Sequence, residues 1–365
     1  MATTLPLTNR PTLSRGGAVP PFFAGLLPEG RRLTALRRAV KTSADDELSL
    51  LLAVGSDAVG DVSVLAGGTT PEEAEVADIG EAGVDFTATD FTDLLAGAGI
   101  VDPVAIPGVQ DKVSGRMLTA PLVFGGGAHF LKVSPPEFPA VVENEAFFLG
   151  RATRLGLPVS AAEVVRDRRG RSGLLLTRFD RRPTADGRLE RLALEDATQL
   201  LGRYPVDKYA VTTEEVAAAV ARVCTSAPLA LRTVFLQVVF AWATGNGDLH
   251  GKNLSVLRGD DGWEPSPVYD IPSTLPYGDV TMALPVGGRR DGFSGRAMLE
   301  FADRIGLAPR AAERALGVVG EAVAGLADGA RDAGIPLDAR RARDLERGLR
   351  KRQDMLFGSS TGLGS

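Results

Sequence analysis

The stretch Gly245-Asn246-Gly247-Asp248-Leu249-His250-Gly251-Lys252-Asn253-Leu254-Ser255 constrains this chain more than any other. It follows an apolar run, Val234 to Trp242, and precedes a short hydrophobic segment that ends in an acid, Pro267-Val268-Tyr269-Asp270. Its glycines let the backbone approach a ligand closely. Asp248 and Asn253 have the spacing of a phosphoryl-transfer loop, in which an Asp takes the acceptor hydroxyl proton and an Asn holds a metal ion. Asp270 stands where a second metal-binding acid is needed. Between them, Lys252 suits neutralising charge that develops on a γ-phosphate. His250 suits bracing the loop, because Asp248 already holds the place of the base. A plain polar loop after a buried helix would share these residue types, so the rest of the chain is the test.

Composition narrows the classes. The chain has 365 residues, 44% of them hydrophobic, enough for a large core. That length suits two or three units of roughly 100–200 residues each. The net charge of −5 argues against nucleic-acid binding through a basic surface of its own. The basic clusters Arg166 to Arg171 and Arg340 to Arg352 are interspersed with acids and read as solvated faces. One cysteine, Cys224, excludes an internal disulfide and fits a reducing compartment. With two histidines, His129 and His250, a multi-histidine zinc site is nearly excluded. No run is expected to reach the ~18 apolar residues of a membrane span, and the amino terminus lacks the pattern of a signal peptide. A cytoplasmic protein without membrane contact is expected.

Taken in order, residues 1–66 read as a small first unit. It has helices at Arg31 to Val40 and Leu48 to Val54, the second capped within Asp45-Asp46-Glu47, and a strand at Val62-Ser63-Val64. Residues 67–98 read as a connector with one helix near Thr89 to Leu95. Residues 99–182 read as mostly β: Met117 to Phe124, His129 to Val133, Glu163 to Val165 and Gly173 to Phe179, with a helix at Glu143 to Leu155 and a turn at Arg168 to Arg171. Residues 183–357 read as helical. Helices are expected at Glu190 to Leu201, after an N-cap around Thr212, at Leu229 to Thr244, Ala297 to Ile305, Arg310 to Arg331 and Leu337 to Met355. The Gly/Ser-rich end, 358–365, reads as a flexible tail. A β-rich lobe with one helix followed by a helical lobe is the order of a two-lobed kinase.

The β lobe offers the remaining parts such an enzyme needs. Gly108-Val109-Gln110-Asp111-Lys112, within the glycine-flanked loop to Gly115, could cradle anionic oxygens, although an ordinary hairpin loop has the same composition. Lys132 ends a strand on the face opposite Leu131 and Val133, where a lysine contacts phosphates or simply faces solvent. Glu143 and Glu145 open the following helix; either could serve as its cap, and Glu145 is the favoured partner of Lys132. Thr177-Arg178-Phe179-Asp180 closes the lobe where a hinge would offer backbone groups to adenine.

These segments together resemble the HipA-type toxin serine/threonine kinases of bacterial toxin–antitoxin modules. The carriers are Pro107-Gly108-Val109-Gln110-Asp111-Lys112, Phe130-Leu131-Lys132, Val142-Glu143-Asn144-Glu145, Arg178-Phe179-Asp180-Arg181, the loop Gly247 to Asn253, and Tyr269-Asp270. Glu195-Asp196-Ala197-Thr198-Gln199 with Lys208-Tyr209 also matches, and Phe22-Phe23 to Pro28-Glu29 resembles the family's small N-terminal subdomain. The resemblance implies an α+β, two-lobed protein-kinase-like fold with a β-rich N-lobe, that subdomain, and a mostly helical C-lobe. It implies ATP and Mg²⁺ as cofactors, Lys132 on phosphate, Asp248 as base, Asn253 and Asp270 as metal ligands, and Thr177, Arg178 and Phe179 at the adenine hinge. It implies a protein substrate such as an aminoacyl-tRNA synthetase. It also implies a small helix-turn-helix antitoxin through which DNA is met only indirectly. Pro107 departs from the serine that relatives often carry there as an autophosphorylation site, so that switch is absent or moved to another residue such as Ser114. The amino terminus looks shorter than the family's full form.

Two rivals use the same loop. Small-molecule phosphotransferases of the aminoglycoside or choline kinase type usually have His two residues before the Asp; here Asn246 stands there. A pseudokinase would keep the fold and bind nucleotide without transfer.

Overall fold

The computed structural model describes residues 2–5, 18–43, 46–69, 84–97 and 117–358. The expected phosphate loop, Gly108 to Lys112, lies outside them, as do Pro107 and Ser114. The chain divides into two compact units, residues 1–135 with 161–206, and residues 136–160 with 207–365. The helix expected to sit with the β lobe, around Glu145, is grouped with the second unit.

In the first unit, helices α1 (Pro21–Gly25), α2 (Gly30–Val40) and α3 (Glu47–Val54) surround a small core of Phe22, Leu26, Leu27, Leu50 and Leu51. Asp46 caps α3 by accepting from Ser49 N–H at 3.2 Å, satisfying a donor the helix cannot. Val62 to Val64 is not a laddered strand; Val64 N–H instead donates to the Gly55 carbonyl at 3.0 Å. Helix α4 (Phe91–Gly97) lies under an antiparallel sheet of β1 (Leu118–Phe124), β2 (Gly127–Val133), β3 (Ala162–Arg166) and β4 (Ser172–Thr177), in the order β1-β2-β4-β3. Successive strand residues face opposite ways. Leu131 and Val133 therefore reach the core with Phe91, Leu95, Ala120 and Leu122, and Lys132 takes the other face.

The expected helix at Glu190 to Leu201 begins as two short strands and is helical in its last third alone. Leu189–Arg191 (β6) pairs antiparallel with Arg181–Pro183 (β5), Leu194–Asp196 (β7) follows, and only Ala197–Leu200 is helical. The reason is local: Asp196 and Gln199 form a reciprocal capping box, which starts a helix at Ala197 and not before.

The second unit holds α5 (Val141–Ala152), α6 (Thr213–Val223), α7 (Ala227–Thr244), α8 (Gly295–Arg304), α9 (Pro309–Val323), α10 (Leu326–Asp332) and α11 (Ala339–Phe357). It also holds the hairpin β8 (Ser255–Gly259) and β9 (Gly262–Pro265). Thr212 and Glu215 form the capping box of α6. The long helix expected from Arg310 is broken at Ala324-Gly325, where Gly325 takes φ +63°. Helix α7 is apolar on all sides and, contrary to the expectation above, long enough to cross a bilayer. It is buried among α6, α9 and α11, as an all-round apolar helix in a large core is.

Candidate functional site

The loop after α7 is shaped by how that helix stops. Gly245 takes φ +68°, its N–H bonds to the Trp242 carbonyl, and Asn246 N–H bonds to that of Ala241 at 2.8 Å. This reversal needs a residue with no Cβ penalty. Gly247 is needed for a different reason. A Cβ there would lie 2.5 Å from Thr274 Oγ1 and 2.7 Å from the Thr281 carbonyl. Gly247 N–H donates to that threonine oxygen at 3.0 Å.

Asp248 follows, fully buried. Its N–H donates to Asn246 Oδ1 at 2.9 Å. Its carbonyl accepts from His250 N–H at 2.8 Å and from Asn253 Nδ2 at 3.0 Å. Its carboxylate Oδ1 accepts from the Tyr209 hydroxyl at 2.8 Å. His250 is buried too, and its Nδ1 accepts from Lys252 N–H at 3.2 Å, so this nitrogen serves the loop's own backbone. Asn253 has turned its Nδ2 inward to the Asp248 carbonyl, and its Oδ1 is the atom left to meet a cation.

Asp270 reaches the same region by a separate tether. The Tyr269 hydroxyl donates to the Lys252 carbonyl and lies 2.6 Å from Ser255 Oγ, tying residue 269 to the loop that carries Asn253. Val268 is bridged to Val159 in parallel. Asp270 itself has φ +53°, a left-handed conformation that Asp tolerates better than most residues and that costs on the order of 1 kcal/mol or more. Helix α5 is pinned to the adjoining segment: Asn144 donates through Nδ2 to the Ser273 carbonyl at 3.0 Å and accepts Ser273 N–H at 2.8 Å. Its neighbour Glu145 is fully buried, whereas Glu143, the acid in the first turn, is half-buried, so the two glutamates are distinguished by environment.

The structure thus gathers Asp248, His250, Lys252, Asn253 and Asp270 within the second unit. Lys132, Thr177, Arg178 and Phe179 belong to the first. Arg178 is buried, and its guanidinium is committed. It bonds both oxygens of Asp57 at 2.8 Å, and Asp180 through Nε and Nη2 at 3.0 and 2.9 Å. Its side chain therefore ties residues 57–60 to the end of the sheet, where the N–H groups of Thr177 and Arg178 donate to the Ala161 and Ala128 carbonyls at 2.9 Å each. Tyr209 is the main residue sequence reasoning left without a role. The signal was present, since Lys208-Tyr209 matched a family segment, but nothing in the linear order connects it to Asp248. Lys208 contributes as well, its carbonyl accepting Gly251 N–H at 3.1 Å.

An antiparallel sheet in one unit, a helical second unit, and an Asp-x-x-x-x-Asn loop with a downstream Asp define a protein-kinase-like fold. The chain belongs to the HipA family of kinases: residues 1–65 match the HipA N-terminal domain, and residues 104–326 the HipA-like C-terminal domain. It is 33% identical over 287 residues to the protein named "Putative kinase Y4mE" of Sinorhizobium fredii, covering 74% of this chain and 68% of that one. It is 27% identical over 306 residues to the serine/threonine-protein kinase toxin HipA of Shewanella oneidensis, covering 78% and 69%. The solved complex of that organism's HipA with HipB and operator DNA superposes with a TM-score of 0.75 at 22% identity, over 92% of this chain and 85% of that one. The family and fold expected from the motifs are borne out.

Proposed function

We infer that this chain is an ATP- and Mg²⁺-dependent serine/threonine protein kinase acting as the toxin of a toxin–antitoxin module. The observation that carries the reading is the buried Asp248, held by Tyr209 on a loop whose Asn253 turns its amide nitrogen inward. Asp248 takes the proton of an acceptor hydroxyl as that oxygen forms its bond to the γ-phosphorus; the bond to ADP breaks, and ADP leaves with the electron pair. Asn253 Oδ1 and the Asp270 carboxylate are hard oxygen donors of the kind Mg²⁺ takes from a protein, and bound Mg²⁺ would neutralise phosphate charge. Lys132, Glu145 and the residues from Gly108 to Lys112 are assigned to ATP, with Thr177 to Phe179 at adenine. The acceptor is a translation protein such as an aminoacyl-tRNA synthetase, and the setting is the bacterial cytoplasm. The partner is a small helix-turn-helix antitoxin, which would supply the DNA contact that an acidic chain lacks. HipB and operator DNA in the Shewanella complex support that last assignment.

The test is transfer from radiolabelled ATP in a bacterial lysate, with mass spectrometry of the labelled band. The wild-type chain is expected to label one protein on serine or threonine, and Asp248→Ala to label none while still folding. Label confined to a small molecule, or equal labelling by both proteins, would overturn the reading.

A further inference from the structure

Helix α11 carries an arginine where packing alone would not favour one. Arg352 is 6% exposed, with its guanidinium carbon 4.3 Å from the ring centroid of Trp242, in the last turn of α7. Its Nη2 donates to the Val280 carbonyl at 2.6 Å, and its Nε has no hydrogen-bond partner among the described residues. Burial pulls its pKa down to about 10, opposed by the charges of Asp291 and Asp279. An apolar side chain would fill this space without that desolvation.

What the arginine holds is the turn that supports the Asp248 loop. Thr281 closes the turn on Asp279 Oδ1 through both its N–H and its hydroxyl, at 3.2 Å each. The Asp279 carbonyl accepts from Thr274 Oγ1 at 2.8 Å, and the same oxygen of Thr274 receives Gly247 N–H at 3.0 Å. A second line of contact runs alongside. A Cβ at Gly348 of α11 would lie 2.8 Å from Leu275, and one at Gly245 only 2.4 Å from the same side chain. Leu275 thus fills the space between α11 and the start of the loop.

We propose that Arg352 is a positioning residue for phosphoryl transfer: it anchors the 279–281 turn to α11 and so fixes the backbone of Gly247 and the aim of Asp248. This rests on the kinase reading above, so the test has one arm that needs no catalysis. Arg352→Met keeps a long side chain over Trp242 and removes the donors; Arg352→Lys restores the charge and a donor nitrogen. Hydrogen exchange at residues 245–254 is expected to quicken in Arg352→Met and to return toward wild type in Arg352→Lys. With the acceptor in hand, kcat is expected to fall about tenfold in Arg352→Met at an unchanged KM for ATP, since small misplacements near reacting atoms are expensive in rate. Should Arg352→Met fail to fold, Thr274→Val cuts the same line at its other end and carries the same expectations. Unchanged exchange in the loop, or a loss that merely tracks the melting temperature, overturns the proposal. A wild-type chain that transfers no phosphate but shows the exchange response would sink the kinase reading and leave the bracing intact.

Discussion

Among the carboxylates that each unit buries, Asp180 and Asp248 are held by different means. In the first, Asp180 is gripped by side-chain charge. Arg178 bonds both its oxygens, Arg181 Nη1 bonds Oδ2 at 2.8 Å, and Gly60 N–H donates at 2.9 Å. Asp57 closes the set by accepting from both arginines. In the second, Asp248 is placed through its backbone. Asn246, His250 and Asn253 bond its N–H and carbonyl, and the Tyr209 hydroxyl meets its side chain. A carboxylate locked between guanidinium forks is structural, because its charge is spent in place. A loop framed by backbone bonds keeps its shape while its carboxylate takes part in chemistry, as the loop of a base must. The first arrangement should therefore fail as stability and the second as rate.

The sharpest way to break this distinction is Arg178→Met. It leaves Asp57 and Asp180 sharing Arg181 in a buried setting, and removing one member of such a set costs roughly 3–5 kcal/mol. Chemical denaturation is expected to show a loss near the lower bound, because Arg181 still bonds both acids. A loss below about 1 kcal/mol, the scale of an exposed pair, would mean that the cluster does not hold the unit together.

On the other side of the comparison stands Tyr209→Phe. The ring stays, along with its edge contact to His250 at 5.1 Å between centroids, and only the hydroxyl on Asp248 is lost. Losing the group that aims the base is expensive in rate, so kcat is expected to fall about tenfold, or about 1.4 kcal/mol in the barrier, while the melting temperature falls less than in Arg178→Met. Steady-state kinetics with the protein acceptor would show it. Wild-type kcat would mean that the loop backbone alone aims Asp248.

These two sites also differ in how far they could be read from sequence. The loop from Gly245 to Ser255 was legible because its chemistry is written in consecutive residues, and its glycines follow from a helix stop and a close approach. The strands at 118–124, 127–133 and 172–177 were legible as short apolar runs, expected at 117–124, 129–133 and 173–179, with Lys132 set opposite Leu131 and Val133. Arg178 was read as a hinge residue from its place at the end of the sheet. Its commitment to Asp57 was invisible because the partners are 121 residues apart. Tyr209 stands 39 residues from Asp248 and was hidden for the same reason. The helix expected across Glu190 to Leu201 failed because its apolar residues fit either period over so short a span. The capping box that decides between them sits inside the segment, at Asp196 and Gln199.

The smallest expected effect probes the charge of the first site directly. Burial alone would raise the Asp180 pKa, but the hydrogen bond and charge of Arg178, with the charge of Arg181, outweigh it, and the net shift is downward. A carboxyl depressed in the folded state contributes stability above its unfolded value of about 3.9, and loses it as pH falls through the folded value. Asp180→Asn removes that contribution while keeping shape. The gap in unfolding free energy between wild type and Asp180→Asn should be full at pH 7 and should narrow as pH drops below about 4, toward the part that reflects geometry alone. Asp248→Asn offers the control, since its loop is framed by backbone bonds; its stability gap should be small at pH 7. If Asp180→Asn gave a gap independent of pH from 7 to 3, the cluster would be holding its unit by hydrogen-bond shape, and the contrast between a charge-locked and a backbone-framed carboxylate would have to be given up.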